Sequence, residues 1–363
     1  MLQMLSELVH VESPSNDKAA VDRAVALVAS WSESLRGRVK IHRQQEFGDL
    51  LEVRFTPRSA YRRTPLMLLG HLDTVWEMGT LRHMPWRLKA GRIHGPGVLD
   101  MKAGVIMALT AVQALLELHA LSRPVILLLN SDEEVGSTCS RALTERVART
   151  CEAVYVLEPG QGDAGAYKTA RKGVGNYRLD VTGVAAHSGV DFSNGHSAIL
   201  ELAYQIEHLR NFTDLERGIT VNPGVIAGGT RSNVIAAHAW AEIDVRIART
   251  GDAARIDRSF HKLTSRDRAC TLKVSGGLNR PPMERKKAII ELFKKAQSLA
   301  AILGFSLEEA STGGGSDGNF TAALGIPTLD GMGAVGAGAH ASHEFIVVEH
   351  LVPRTALLAT MML

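Results

Sequence analysis

Three short apolar runs set the pattern of the first half of the chain. Pro65-Leu66-Met67-Leu68-Leu69, Pro124-Val125-Ile126-Leu127-Leu128-Leu129 and Ala153-Val154-Tyr155-Val156-Leu157 contain no alternating polar positions. Runs of this kind read as strands buried on both faces, as in a parallel sheet covered by helices. Around them the apolar spacing becomes helical, over 17–35, over the strongly apolar 101–119 and over 140–149. Gly91 to Gly97 reads as a turn-rich loop. Strands alternating with helices imply right-handed crossovers. The pattern predicts an α/β fold: a mostly parallel mixed sheet with helices on both faces.

The pattern changes near residue 172. Asn176 to Thr182 alternates polar and apolar, as a strand with one wet face does. A helix is expected over 197–209, strands over 218–226 and 233–247, a helix over 252–265 and a strand over 271–274. That order, β-α-β-β-α-β, is ferredoxin-like. After Pro281-Pro282 the earlier pattern resumes, with helices over 286–303 and 319–324 and a strand over 326–329. The expected organisation is a discontinuous core domain, 1–171 and 283–363, interrupted by an α+β insert at 172–282.

The length, 363 residues, suits two domains, and a 45% hydrophobic content is enough to give each a core. The net charge of +3 argues against a nucleic-acid partner. Arg62-Arg63 and Arg285-Lys286-Lys287 read as solvated surface. Cys139, Cys151 and Cys270 make neither a disulfide framework nor a CxxC metal motif, which fits a reducing compartment. The longest apolar stretch, Val105 to Leu116, falls short of the roughly 20 residues a membrane span needs. Met1 to His10 carries Glu7 and lacks the apolar core of a signal peptide. The expectation is a soluble, cytoplasmic protein with no membrane partner.

Each buried strand runs into a residue that can bind metal. The first leads to His71-Leu72-Asp73, the second to Asp132-Glu133-Glu134 and the third to Glu158, while Asp100 directly precedes the long helix. Singly these residues have ordinary readings: a core histidine, a turn acid at Asp73, a helix cap at Asp100, a first-turn pair at Glu133-Glu134, a loop acid at Glu158. Strands of a parallel sheet share one carboxyl edge, where ligands bind. Carboxylates gathered there repel and are costly to desolvate. Imidazole with carboxylate is a ligand set suited to zinc. The number of acids exceeds the needs of one ion, which points to two ions about 3.5–4 Å apart sharing a carboxylate.

His71-x-Asp73, Gly95-Pro96-Gly97-x-x-Asp100-Met101-Lys102, Asp132-Glu133-Glu134-x-Gly136-Ser137, Glu158-Pro159, Gly314-Gly315-Ser316-Asp317 and Gly338-Ala339-His340 follow one another along nearly the whole chain. In this order they resemble the zinc aminoacylase, acetylornithine deacetylase and glutamate carboxypeptidase family, nearest its bacterial glutamate carboxypeptidases. The resemblance implies two Zn2+, with Co2+ or Mn2+ as possible substitutes. It assigns His71 and Glu158 to one ion, Glu134 and His340 to the other, and Asp100 to both. Glu133 would be the general base. Asp73 would hold the second ring nitrogen of His71. A cis peptide is implied at Asp100–Met101. The insert would be a lid through which a homodimer forms, with His187 reaching the partner's site to stabilise an oxyanion. Asn233, Arg246 and Gly315 would contact the substrate, Arg246 by forking onto a carboxylate.

The implied activity is a carboxypeptidase releasing a C-terminal, glutamate-like amino acid from a small peptide. The alternative is an N-acyl-amino-acid deacylase. The sequence departs from the family after His340, where Ala341-Ser342-His343-Glu344 places His343 at a position that is often acidic. His343 and His350 read as surface histidines. A remote rival is a serine hydrolase: Gly314 to Gly318 fits G-x-S-x-G, and Asp330 and His340 follow Ser316 in triad order.

Overall fold

A computed structural model describes residues 1–57 and 63–363, so Arg62 of the Arg62-Arg63 pair lies outside the described residues. The chain divides into two compact units. One comprises Met1–Ala170, Arg285–Thr312 and Ser316–Leu363, and the other Arg171–Glu284 with Gly313–Gly315.

The first unit is built on a six-stranded sheet in the order Arg38–His42, Leu50–Phe55, Val125–Asn130, Leu66–His71, Ala153–Val156, Thr328–Leu329. The three pairings from Val125–Asn130 to Thr328–Leu329 are parallel, and the two involving Leu50–Phe55 are antiparallel. Every residue of Leu66–His71, Val125–Asn130 and Ala153–Val156 is buried, which is why these segments read as unbroken apolar runs. Their register aligns the carboxyl ends: His71 faces Asn130, and Leu69 faces Val156. Residues 71, 132–134 and 158 therefore leave the sheet along one edge.

The helix Ala103–Glu117 buries Val105, Ile106, Ala108, Leu109 and Val112 on several sides. An all-round apolar helix of this kind belongs in a core. Its first turn lies against the end of the third strand, since a Cβ at Gly104 would overlap the Leu157 carbonyl oxygen. The helix Lys18–Ser34 starts at Asp17, whose carboxylate accepts the Ala20 N–H at 3.0 Å. Two kinds of element lay outside the sequence reading. The edge strand Arg38–His42 is largely polar and half exposed. A small sheet joins Gly336–Ala337, Phe345–Val347, Arg92–His94 and Arg87–Lys89, whose two- and three-residue strands are too short for any periodicity.

The second unit is an antiparallel sheet in the order Thr220–Gly228, His238–Ile247, Gly173–Thr182, Thr271–Arg280, with the helices Ala198–Leu209 and Thr250–His261. Leu179, Val181, Ala241, Ile243 and Val245 pack with Leu202, Ile256 and Phe260 in its core. Tyr177 stacks on Phe260 with ring centroids 3.9 Å apart. The last strand continues to Arg280, six residues beyond the predicted end at Val274. It passes Gly276, whose φ of +87° hides the strand from a propensity reading. Gly313–Gly315 groups with this unit, whereas the sequence pattern kept it with the core. Arg171 explains the placement, donating from Nη1 to the Gly314 and Gly315 carbonyls at 3.1 and 3.0 Å.

Candidate active site

The aligned strand ends bring the acids and histidines of the first unit together. His71 is the last residue of its strand and is 1% exposed. Glu133 and Glu134 open a single helical turn after the second strand, and Glu158 follows the third. Asp100 lies in a kinked stretch before the long helix, and the Asp100–Met101 peptide is cis. His340 sits at the end of a glycine-rich turn with φ +62°, an unusual backbone state for a residue with a side chain.

Asp100 is the centre of the cluster. Its Oδ1 lies 3.4 Å from His71 Nε2, and its Oδ2 lies 3.3 Å from His340 Nε2. His71 Nε2 is also 3.7 Å from Glu158 Oε1, and His340 Nε2 is 3.2 Å from Glu134 Oε2. Two ligand groups result, one on each oxygen of Asp100. Glu133 also belongs here, with a carboxylate oxygen within 4.8 Å of donor atoms of His71 and Glu158.

This arrangement fits divalent cations. Zinc ligands at 2.0–2.2 Å in a tetrahedron stand about 3.3 Å from one another, close to the spacings above. Among the described residues, His71 Nε2 and Glu134 Oε1 are buried without a hydrogen-bond partner, a costly arrangement unless an ion takes them up.

Electrostatics agree. Burial alone would depress His71, but Asp100, Asp73 and Glu158 more than offset it and hold its pKa well above 6.5. Asp100, then Glu134, raise His340 to about 10. Burial opposes ionisation of Asp100, yet its two imidazoles keep it well below the usual carboxylate range. Glu134 moves the other way, because burial, helped by the Asp100 charge, outweighs His340 and His71. Without cations the site holds its acids by protonating its histidines.

Positioning contacts surround these groups. His71 Nδ1 contacts the main-chain carbonyl of Asp73 at 2.9 Å, while the Asp73 carboxylate oxygen lies farther off at 3.4 Å. That carboxylate accepts the N–H groups of Glu133 and Glu134 and the hydroxyl of Ser15. Asp132, fully buried, accepts the Cys139 and Ser140 N–H groups and closes the loop behind Glu134. Ser137 Oγ and Asn130 Nδ2 both donate to Asp317.

Residues 67–363 match Peptidase family M20/M25/M40. The chain belongs to this family. It is 26% identical over 365 residues to carboxypeptidase G2 of Pseudomonas sp. (strain RS-16), covering 99% of this chain and 87% of that protein. Its fold is that of aminopeptidase PepT from Bacillus cereus ATCC 10987, with a TM-score of 0.80, 21% identity and coverage of 99% and 96%. YXEP of Bacillus subtilis, described as a dinuclear metal binding peptidase of the M20 family, aligns with a TM-score of 0.71, 15% identity and coverage of 99% and 96%. Like other M20 proteins, the chain is a hydrolytic enzyme of the metallopeptidase class, carboxypeptidase-like.

Within this M20 chain the serine arrangement is not formed. Ser316 is fully buried, and its Oγ donates directly to Asp330 Oδ2 at 2.6 Å with no imidazole between them. His340 faces Asp100 and Glu134 instead.

In the second unit, His187 and Asn233 lie on facing segments. His187 bridges to Val234, and the Ser188 N–H donates to the Asn233 carbonyl at 3.1 Å. His187 Nδ1 accepts the Gly189 N–H at 3.2 Å, which leaves Nε2 to carry the ring proton in the neutral form. Arg246 forks onto Asp244 with two contacts of 2.8 Å and sends Nη1 towards the Gly313 carbonyl. Gly315 is closely packed: a Cβ there would come within 2.8 Å of Val174 and 2.9 Å of Arg280.

Asp132 and Asp317 stood in recognisable motifs, so their supporting roles were within reach of the sequence. Ser15 carried no signal, because only the fold brings it near Asp73.

Proposed function

We propose that the chain is a two-zinc hydrolase that cleaves an amide bond next to a free carboxylate, most closely as a carboxypeptidase releasing a glutamate-like C-terminal residue. The carrying observation is the split of Asp100, with one oxygen towards His71 and the other towards His340. His71 and Glu158 would hold one ion, Glu134 and His340 the other, and Asp100 both. The dinuclear description of the Bacillus subtilis relative supports two ions, and carboxypeptidase G2 supports the bond class. When bound, the ions would polarise the scissile carbonyl and acidify water.

The side chains supply the rest. Glu133 accepts a proton from the attacking water and returns it to the leaving amine. Asp73 holds the Glu133-Glu134 turn, so base and ligand keep fixed relative positions. Arg246, Asn233 and Gly315 receive the substrate's carboxylate end. His187 offers its Nε2 proton to the oxyanion of a partner subunit's substrate. A homodimer would form through the second unit, whose outer strand Thr220–Gly228 exposes Val225 and Ile226. The three cysteines of the chain are free, in keeping with a cytoplasmic setting.

The second reading is an N-acyl-amino-acid deacylase. It needs the same ions, base and carboxylate anchor and differs only in the acyl side of the substrate. Assaying dipeptides, N-acetyl amino acids and larger amide-linked glutamate conjugates, with and without chelator, separates the two. Turnover of glutamate conjugates well above that of simple N-acetyl amino acids is expected. The opposite preference favours the deacylase, and turnover unaffected by chelation removes both.

A further inference from the structure

Glu344 lies outside the proposed ligand set, yet it is fully buried. Its Oε1 accepts the Leu99 and Asp100 N–H groups at 2.8 and 3.1 Å. Its Oε2 accepts the Gly97 N–H and the indole N–H of Trp76, both at 2.9 Å. Four N–H groups thus converge on one carboxylate and use all its strong acceptor directions. Three of them belong to the backbone that delivers Asp100. Glu344 is also four residues after His340, within a turn closed by Ala341 N–H to Gly338 carbonyl and Glu344 N–H to Ala341 carbonyl bonds.

We infer that Glu344 is a positioning residue that locks the segment of the shared ligand Asp100 to the turn of the terminal ligand His340, and so sets the affinity and geometry of the second metal ion. This rests on the two-ion reading and deepens it. A buried carboxylate with four donors could also serve stability alone, but two features point further. Its bonds end on the N–H of Asp100 itself. Its own turn carries His340, whose Nε2 must stay 3.3 Å from Asp100 Oδ2. A small relative movement of the two segments would open that spacing while leaving His71 and Glu158 in place. In Glu344→Gln one oxygen becomes an NH2 group, which turns two N–H donors against a donor.

The test uses the full-length enzyme. Zinc affinities of wild type, E344Q and E344A are measured by competition with a chromophoric chelator, and the cobalt-substituted forms are examined by electronic spectroscopy. E344Q is expected to bind the second ion about 10- to 100-fold more weakly, within the range for residues that orient ligands. Binding of the first ion, which keeps His71 and Glu158, should weaken much less. Its kcat should fall at limiting zinc and recover partly with excess zinc, with KM within about threefold of wild type. The cobalt spectrum should change, which a loss of stability alone would not produce. Wild-type affinity for both ions in E344Q and E344A, with an unchanged cobalt spectrum, overturns the inference. If neither variant folds, Glu344→Asp decides: it keeps the charge but shortens the reach to the Leu99 and Asp100 N–H groups, and wild-type second-ion affinity there overturns the inference. A wild-type enzyme that binds fewer than two ions contradicts the underlying two-ion reading instead.

Discussion

Asp73 Oδ2 accepts the backbone N–H of Glu134 at 3.1 Å, and Asp73 Oδ1 accepts that of Glu133 at 3.2 Å. The same residue offers its main-chain carbonyl to His71 Nδ1 at 2.9 Å. One fully buried aspartate therefore fixes the His71 ring at the end of the first strand and the Glu133-Glu134 turn after the second. Asp73→Asn would present an NH2 group to one of those N–H donors. We expect kcat to fall by about 10- to 100-fold together with weaker zinc binding, measured by steady-state kinetics and metal analysis. Wild-type values for both would remove Asp73 from the site.

Glu133 is expected to act only on protons. Glu133→Gln keeps the shape of the turn and the contacts to Asp73 while removing the acceptor of the water's proton. It should retain its full zinc content and lose about two to four orders of magnitude in kcat. A variant that keeps zinc and full turnover would assign the proton transfer elsewhere.

The protonated histidines of the metal-free site give a pH signature. Asp100 and Glu134 raise His340 to about 10 from an ordinary 6.5, and His71 is raised as well. A histidine raised in the folded state adds stability that is full below its unfolded pKa and is lost as pH rises through its folded pKa. The thermal midpoint of the metal-free enzyme should therefore decline between about pH 6.5 and 10. The change should be modest, since the His340 side chain is 52% exposed. Zinc must displace these protons. Titration calorimetry at pH 7 in buffers of differing ionisation enthalpy should show at least one proton released per chain, and fewer above pH 10. Zinc binding without proton release at pH 7 would contradict the description of the site.

Ser316→Ala separates structural from nucleophilic serine. The hydroxyl ties Asp330 into the buried polar cluster, so its loss should cost about 1–3 kcal/mol of stability in denaturant unfolding. The kcat should stay near wild type. A collapse of kcat in a stable variant would revive a serine mechanism.

The legible parts of the molecule were those where one physical demand governs a whole segment. Leu66–His71, Val125–Asn130 and Ala153–Val156 are buried on both faces, so their apolar runs betrayed both the sheet and its carboxyl edge. The convergence of His71, Asp100, Glu134 and Glu158 then followed from topology. Arg38–His42 pairs at the sheet's edge and carries no such signature. Nothing in the residue pattern signals that Arg246 forks onto Asp244, two residues away on its own strand, because that choice depends on rotamers. Nor could it reveal that Glu344 reaches back some 244 residues to the Asp100 segment, a contact made only once the small sheet of short strands has formed.

Metal stoichiometry tests the central claim most directly. Protein stripped with chelator, reconstituted with zinc and freed of excess should be analysed by elemental mass spectrometry beside its Asp100→Ala variant. The account predicts two zinc ions per wild-type chain, with activity restored in proportion, and no stable pair in D100A. A wild-type chain that is fully active with one ion or none would contradict it.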